Sequence, residues 1–247
     1  MFQFSKSMDM VKEVIQTLVG FTNSLLPILV TLMLTTGAIT SAGITQPLLL
    51  LLINFIGNTI ASFILPMILI ATSLNITSHL SDKIKIGKLS KLMNSSMVWV
   101  LGIVMTLFVT VLSLEGSLTQ TVDGVAAKTT KAAVSTVIPV VGKILGDATD
   151  AVIGCAAILK NAVGFVGILV IVGICLAPIM KLTLLTLLYY LSAAIAEPIA
   201  DTKVVGLLSS MGDTFKTLLA IVFCVAIILV IGLAIVVKMS NATVLYR

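Results

Sequence analysis

Long uncharged runs dominate the pattern of apolar and polar positions along the chain. The longest extends from Val14 to Ser81 and contains no Asp, Glu, Lys or Arg. Four shorter runs follow, at Leu92–Leu114, Asn161–Met180, Leu182–Ala196 and Thr217–Val237. A bilayer core requires about 20 apolar residues for each helical crossing, so the long run supplies two crossings and the others supply four. The pattern predicts an all-α polytopic membrane protein with about six spanning helices.

Small residues and prolines predict where the first spans begin and end. The first span covers about Leu18–Ile39 and ends in the small-residue cluster that includes Thr35–Ala38. Gln46-Pro47 is predicted to open the second span, because proline suits the first turn of a helix. Pro66, inside the second span, predicts a kink or a break. The third span is predicted at about Ser95–Leu114.

The C-terminal half contains three further predicted spans. The fourth covers about Ala162–Met180 and the short fifth about Leu182–Ala196. Ala177-Pro178 and Lys181 between them predict a tight turn or a broken helix. Glu197-Pro198 is expected to end the fifth span. The sixth is the run Thr217–Val237.

Residues 115–160 differ from the rest of the chain, being rich in Ala, Thr, Val and Gly with isolated charges. Their helical periodicity predicts two amphipathic helices, separated near Pro139 and Gly142, that lie at the membrane interface rather than crossing it. The chain therefore divides into 1–114, an amphipathic lead-in with three spans; 115–160, the amphipathic segment; and 161–247, the C-terminal spans.

Composition and charge argue against a soluble domain and against nucleic-acid binding. The chain is 59% hydrophobic and 10% charged, whereas soluble domains carry about 25% charged residues. The net charge of +5 does not indicate nucleic-acid binding, since the lysines flank hydrophobic spans. With six spans, one side holds the N-terminal lead-in, Lys83–Lys91, Lys181 and the C-terminal tail, with nine basic and three acidic residues. The other side holds residues 115–160 and 197–216, with six basic and seven acidic residues. The basic side is predicted to be cytoplasmic, so residues 115–160 are predicted to be extracytoplasmic.

Catalytic chemistry is absent from the sequence pattern. There is no nucleotide-binding loop, metal-ligand cluster or catalytic triad, so we expect no enzyme activity and no cofactor or metal. The three cysteines are far apart in apolar sequence and are expected to be inert thiols. The single histidine, His79, is expected to be a solvated residue at the membrane edge.

A few polar residues within or beside the spans are candidates for intramembrane contacts. Asn54 and Asn58 are four residues apart and share one helix face. They either form an interhelical hydrogen bond that fixes packing or line a polar path. Lys181 either anchors the predicted turn or points into a cavity. Glu197 is expected at an interfacial helix end.

The string from Val137 to Asp150 is the most distinctive segment. Gly142 and Gly146 have the small-xxx-small spacing that permits close helix approach, and Lys143 and Asp147 can pair at i,i+4. The segment is either an amphipathic helix lying on the bilayer or a contact surface for a partner or a second copy. The candidate contact residues are Lys128, Lys131, Gly142, Lys143, Gly146, Asp147 and Asp150.

Four strings in order resemble the stage III sporulation protein AE family: residues 123–131, 139–143, 146–150 and 159–164. The similarity extends over nearly the whole chain. Members of that family usually carry a further N-terminal region with a signal sequence and additional membrane segments, so this chain is expected to be a fragment of a longer protein.

The resemblance implies a multipass protein of the mother-cell membrane around the forespore. It implies a place in the sporulation channel, or secretion-like complex, that links the two cells and supports forespore development. The implied partners are membrane lipid, the other stage III A sporulation proteins, the stage II Q protein across the intermembrane gap, and further copies of the chain. The alternative is a self-sufficient transporter for a small solute, with its site at the predicted break near Pro178–Lys181.

Overall fold

The computed structural model describes residues 2–80, 87–137 and 141–245, with side chains described over 3–79, 87–115 and 151–238. Within these ranges the chain forms long helices and one short π-helix. They are α1 (Phe2–Thr35), α2 (Ile39–Thr59), the π-helix (Ile60–Ile64), α3 (Leu65–Leu80), α4 (Gly87–Val137), α5 (Val141–Ala196) and α6 (Thr202–Leu245). The predicted all-α fold is confirmed.

Five helical stretches among the described residues are long and apolar enough to cross a membrane. They are Gln3–Thr35, Ile39–His79, Gly87–Glu115, Ala151–Ala196 and Thr202–Lys238. Many large apolar side chains face outward, as shown by Trp99, Ile158 and Ile195, each at least 70% exposed. Such a surface suits lipid rather than water, and the chain is a multipass membrane protein.

The connection between α1 and α2 follows from local backbone chemistry. Gly37 has a φ of 84°, which an L side chain rarely adopts. Its N–H donates to the Leu34 carbonyl, and the Ala38 N–H donates to the Met33 carbonyl, both at 3.1 Å. These bonds form a Schellman motif that satisfies the last carbonyls of α1. The predicted end of the first span at the small-residue cluster is confirmed.

The second span begins earlier than predicted and continues without a break. Pro47 lies inside α2 rather than opening it, because Ala42, Thr45 and Leu49 are buried at helical spacing and packing holds the helix around the proline. Near Pro66 the helix widens: the Leu65 N–H donates to the Ile60 carbonyl, five residues back. This π-helical turn replaces the predicted kink or break, since proline disrupts the hydrogen-bond ladder beside it.

The predicted turn at residues 178–181 is wrong. α5 continues through Pro178 to Ala196, so the fourth and fifth predicted spans are one helix. Its buried positions Ile171, Cys175, Pro178 and Leu182 recur every three or four residues, so one packed face continues through the proline. That packing compensates for the hydrogen bond that proline removes.

The described residues of the 115–160 segment, 115–137 and 141–160, are helical, as predicted, but they continue the spanning helices. α4 extends past residue 115 to Val137, and α5 begins at Val141 and extends past residue 160. Of the two residues at the predicted separation, Pro139 lies outside the described residues and Gly142 lies inside α5. No helix end marks residues 115 or 160, and the division into three functional segments stays a prediction.

The chain separates into two compact units. The first comprises Met1–Val19, Asn54–Thr106 and Val172–Ile227; the second comprises Gly20–Ile53, Leu107–Ile171 and Ile228–Arg247. Within the first unit, the Tyr189 and Phe215 rings stack with centroids 5.1 Å apart, and the Thr72 and Thr214 hydroxyls hydrogen-bond at 3.2 Å. Within the second, Phe108 packs against Gly232.

One contact in the first unit corrects the predicted membrane sidedness. A Cβ added to Gly206 would lie 2.5 Å from His79 Cδ2, so the start of α6 lies beside the end of α3. With six spans, residues 197–216 would lie on the side opposite Lys83–Lys91. The contact brings residues 197–216 to the same end as the residues that precede Lys83, because α5 is one helix.

Candidate functional site

The second unit buries two ionisable side chains inside apolar helices. Glu115, at the end of an apolar stretch in α4, is 7% exposed. Lys160, ten residues into the apolar stretch of α5, is fully buried. Burying a charged side chain at the centre of a bilayer costs about 3 kcal/mol on insertion scales. Such residues are retained when they have partners or a function.

The Glu115 carboxylate is held by α2. Its Oε1 accepts a hydrogen bond from the Thr45 hydroxyl, which is itself fully buried. Ser41, one turn earlier on the same helix face, is also fully buried. The face of α2 that is buried inside the second unit therefore carries hydroxyl groups, and the Glu115 carboxylate lies against this face.

Lys160 is held by α6. Its ammonium Nζ donates to the Val237 carbonyl oxygen at 2.7 Å. The short distance depends on glycine, because a Cβ added at Gly164, one turn along α5, would lie 2.1 Å from Val237 Cγ2. A second close approach follows at Gly167, where an added Cβ would lie 2.5 Å from Leu25 Cδ2. The glycines bring α5 close enough for the lysine to reach the backbone of α6.

Glu115 and Lys160 lie at similar depth in the second unit. Phe108 and Leu49 both approach Gly232. Glu115 lies two turns after Phe108 on α4. Its hydrogen-bond partner Thr45 lies one turn before Leu49 on α2. Val237, which binds Lys160, is between one and two turns along α6 from Gly232. We call Thr45, Glu115 and Lys160 the polar layer.

The polar layer offers an acid and a base away from lipid. Such groups can exchange protons, bind a polar solute or change the packing of helices when their charge changes. Among the residues whose side chains are described, no cluster of three or more His, Cys, Asp or Glu could hold a metal ion.

Comparison with known proteins identifies the family. The profile of stage III sporulation protein AE matches residues 1–240. The chain belongs to the stage III sporulation protein AE family. It is also 29% identical over 244 residues to the stage III sporulation protein AE of Bacillus subtilis strain 168. No solved structure matches the chain.

The relative from Bacillus subtilis is longer than this chain. The match covers 99% of the chain and 61% of that relative, so the chain spans about three-fifths of its length. Membership of the stage III sporulation protein AE family confirms the resemblance and implies a role in sporulation. Together with the five apolar helices, it indicates a multipass protein in a membrane of the sporulating cell.

In this member of the stage III sporulation protein AE family, the predicted intramembrane residues lie in the first unit. Asn54 and Asn58 are exposed on one face of α2, as their spacing predicted, and Asn58 Oδ1 accepts a hydrogen bond from Ser62 Oγ at 3.0 Å. Lys181 is half-buried within α5 rather than at a turn, and Glu197 is exposed directly after α5 ends. None of the four belongs to the polar layer.

The predicted contact residues of the 115–160 segment lie outside the residues whose side chains the structure describes. They are Lys128, Lys131, Gly142, Lys143, Gly146, Asp147 and Asp150.

The polar layer was not predicted from the sequence. Glu115 and Lys160 are the first and last residues of the predicted interfacial amphipathic segment, because each stands at the end of an uncharged run. A usable signal was present: each is a lone charge beside 20 or more uncharged residues.

Proposed function

We propose that this protein is an integral membrane component of the channel, or secretion-like complex, that links the mother cell and the forespore. It would reside in the mother-cell membrane around the forespore. Its partners would be the other stage III A sporulation proteins, further copies of itself and the stage II Q protein across the intermembrane gap. Family membership carries the proposal, and the five apolar helices support a place in the membrane.

The helical extensions support an assembly role. Beyond its apolar stretch, α4 continues from residue 116 to Val137, and α5 begins ten residues before its own apolar stretch. At about 1.5 Å per residue, the α4 extension is roughly 33 Å long. The segment 115–160 has four lysines and four acidic residues, so it is neutral and poorly suited to bind anionic lipid. We infer that it binds protein.

The competing proposal of a self-sufficient transporter has lost its predicted site. Transporter sites near the bilayer midplane are typically built from discontinuous helices. The break predicted at Pro178–Lys181 would have supplied one, but α5 is continuous there. The polar layer could serve either a channel component or a self-sufficient transporter. The two functions differ in whether the protein requires partners, so the experiment tests for partners.

Cross-linked purification from sporulating cells tests the proposal. The full-length protein, tagged and expressed in place of the host's own copy, is expected to retain other stage III A proteins. Gly146→Leu is expected to lose them while inserting normally, because leucine prevents close helix approach. Gly154→Leu is the matched control, since an added Cβ at Gly154 meets nothing within 4 Å.

The outcomes separate the two functions. Loss of partners in Gly146→Leu alone supports an assembly surface on the 115–160 segment. Retention of partners in both variants contradicts that surface. Purification of the unmodified protein without any partner contradicts the channel-component proposal and favours the transporter.

A further inference from the structure

The first unit contains a cavity of about 310 Å³ between α4 and α6. Its polar lining consists of Asn94, Asp213, Lys216 and Thr217, and its apolar lining includes Val98 and Ile221. The cavity is separate from the polar layer, which belongs to the second unit. Its amphipathic lining calls for a ligand that is charged at one end and apolar at the other.

The two charged groups of the cavity are not paired with each other. The Asp213 carboxylate Oδ1 accepts a hydrogen bond from the Tyr190 hydroxyl at 2.7 Å, and an acceptor oxygen remains beyond this bond. Lys216 makes no hydrogen bond or ion pair with any residue whose side chain the structure describes. Being three residues apart on α6, the two residues share a helix face, with their Cβ atoms about 5–6 Å apart. An anion and a cation are thus both available to a ligand.

Sequence and structure place this cavity at the level of lipid headgroups. Lys91 is the last charge before the uncharged run of α4, and Lys216 is the last before the uncharged run of α6. Both runs therefore begin at the cavity. Trp99, which is 70% exposed, and the partly exposed Tyr190 lie at the same level. Aromatic side chains of this kind mark the membrane–water interface.

We propose that the cavity binds a zwitterionic phospholipid with a primary ammonium headgroup, of the phosphatidylethanolamine class. Lys216 and Asn94 bind the phosphate, and the Asp213 carboxylate binds the headgroup ammonium. Val98, Leu101 and Ile221, which lie towards the uncharged runs, contact an acyl chain. The separation of one helical turn between the two charges matches a headgroup whose phosphate and ammonium are two carbons apart.

Tyr190 is a positioning residue for this site. A Cβ added at Gly212 would lie 3.1 Å from the Tyr190 ring, so α5 packs closely on α6 beside Asp213. The tyrosine hydroxyl then fixes the carboxylate without neutralising it. The hydrogen bond orients the carboxylate towards the cavity that would receive an ammonium ligand.

Native mass spectrometry of the purified full-length protein, delipidated and then supplied with defined lipids, tests the site. Phosphatidylethanolamine is expected to be retained several-fold more than phosphatidylglycerol. Asp213→Asn is expected to abolish this preference while leaving phosphatidylglycerol retention unchanged. Lys216→Gln is expected to reduce retention of both lipids. Glu197→Gln and Lys238→Gln remove exposed charges elsewhere and serve as matched controls with unchanged retention.

Three results would overturn the proposal. Equal retention of both lipids by the unmodified protein contradicts recognition of the ammonium. An unchanged preference in Asp213→Asn shows that the selectivity arises elsewhere. Binding of soluble phosphorylethanolamine as tight as that of the lipid removes the role of the apolar wall. Thermal unfolding of each variant, expected to match the unmodified protein, separates loss of the site from loss of the fold.

Discussion

Glu115 and Lys160 are the charged side chains that the described part of the second unit buries inside its apolar helices. Each has a polar partner on another helix, the Thr45 hydroxyl for the acid and the Val237 carbonyl for the base. A carbonyl partner does not neutralise a lysine, so the desolvation cost of Lys160 is only partly offset. A buried charge whose desolvation cost exceeds the stabilisation from its hydrogen bonds is a candidate for a functional role.

Replacing Lys160 separates a structural role from a functional one. Lys160→Met keeps an unbranched side chain of similar length and removes the buried charge, so the protein is expected to accumulate normally and unfold at the same or a higher temperature. Heat-resistant spore counts are expected to fall by at least an order of magnitude. Lys238→Met, which removes an exposed lysine from α6, is expected to leave both measurements unchanged.

Normal sporulation of a stable Lys160→Met strain would show that the polar layer has no role in function. Reduced sporulation together with loss of the protein from the membrane would show a purely structural role. Only normal accumulation with poor sporulation agrees with the account given above.

At the residue scale, the sequence predicts those features that depend only on the spacing of residues along a helix. Asn54 and Asn58 share a face because the helix period requires it, and the structure agrees. The burial of Lys160 depends on Gly164 and on where α6 lies, since the lysine reaches the Val237 carbonyl only through a close helix approach. Lys160 and Val237 are 77 positions apart in the sequence. The distance between them cannot be predicted from the residue pattern around either one.

The helices of this protein are longer than a bilayer requires. The apolar stretch of α5 is 46 residues, or about 70 Å at 1.5 Å per residue, whereas a hydrocarbon core is about 30 Å thick. Prolines within α1, α2 and α5 do not end them. Close packing between helices therefore decides their extent, and the glycines at the contacts are expected to be sensitive.

Two glycines of α5 test this packing. Gly164→Ala places a Cβ 2.1 Å from Val237 Cγ2, and a valine in a helix has little freedom to rotate away. We expect a destabilisation of about 1–3 kcal/mol. Gly173→Ala places its Cβ where nothing lies within 4 Å, and is expected to stabilise the helix by up to about 1 kcal/mol. Thermal unfolding in detergent measures both.

Equal unfolding temperatures for the two alanine variants would contradict the close contact between α5 and α6. The comparison is matched, because both substitutions lie in one helix and carry the same gain in helix propensity.

At the element scale, helix ends with local chemistry were predictable and ends that depend on packing were not. The end of α1 follows from the Gly37 turn, and the end of α5 from Glu197-Pro198. The start of α2 and the course of α5 at Pro178 were predicted wrongly. In each helix, packing of a buried face against its neighbours compensates for the N–H that proline lacks. The presence of a proline in the sequence does not reveal this packing.

At the scale of the whole molecule, the continuity of α5 changes the number of crossings from even to odd. Residues 197–216 then join the N-terminal lead-in and Lys83–Lys91, and the C-terminal tail joins residues 115–160. The first side still carries most of the basic residues, so it is still predicted to be the cytoplasmic side. Its basic residues are Lys6, Lys12, Lys83, Lys85, Lys88, Lys91, Lys203 and Lys216.

This arrangement matters for the proposed function, because it predicts that the 115–160 segment lies outside the cytoplasm, on the side where the proposed partners across the intermembrane gap would meet it. The charge pattern already predicted that location, and the structure changes the location of residues 197–216 and of the tail. The described residues are therefore predicted to cross the membrane five times, with the 115–160 segment outside the cytoplasm.

Cysteine accessibility tests that claim most directly. In a background with Cys155, Cys175 and Cys224 replaced, single cysteines are introduced at Lys88, Ile199 and Lys131 and labelled with a membrane-impermeant reagent in intact cells and in inverted vesicles. Five crossings predict that positions 88 and 199 react only in inverted vesicles and that position 131 reacts in intact cells. Labelling of position 199 from the same side as position 131 would contradict the account, because it would require a sixth crossing.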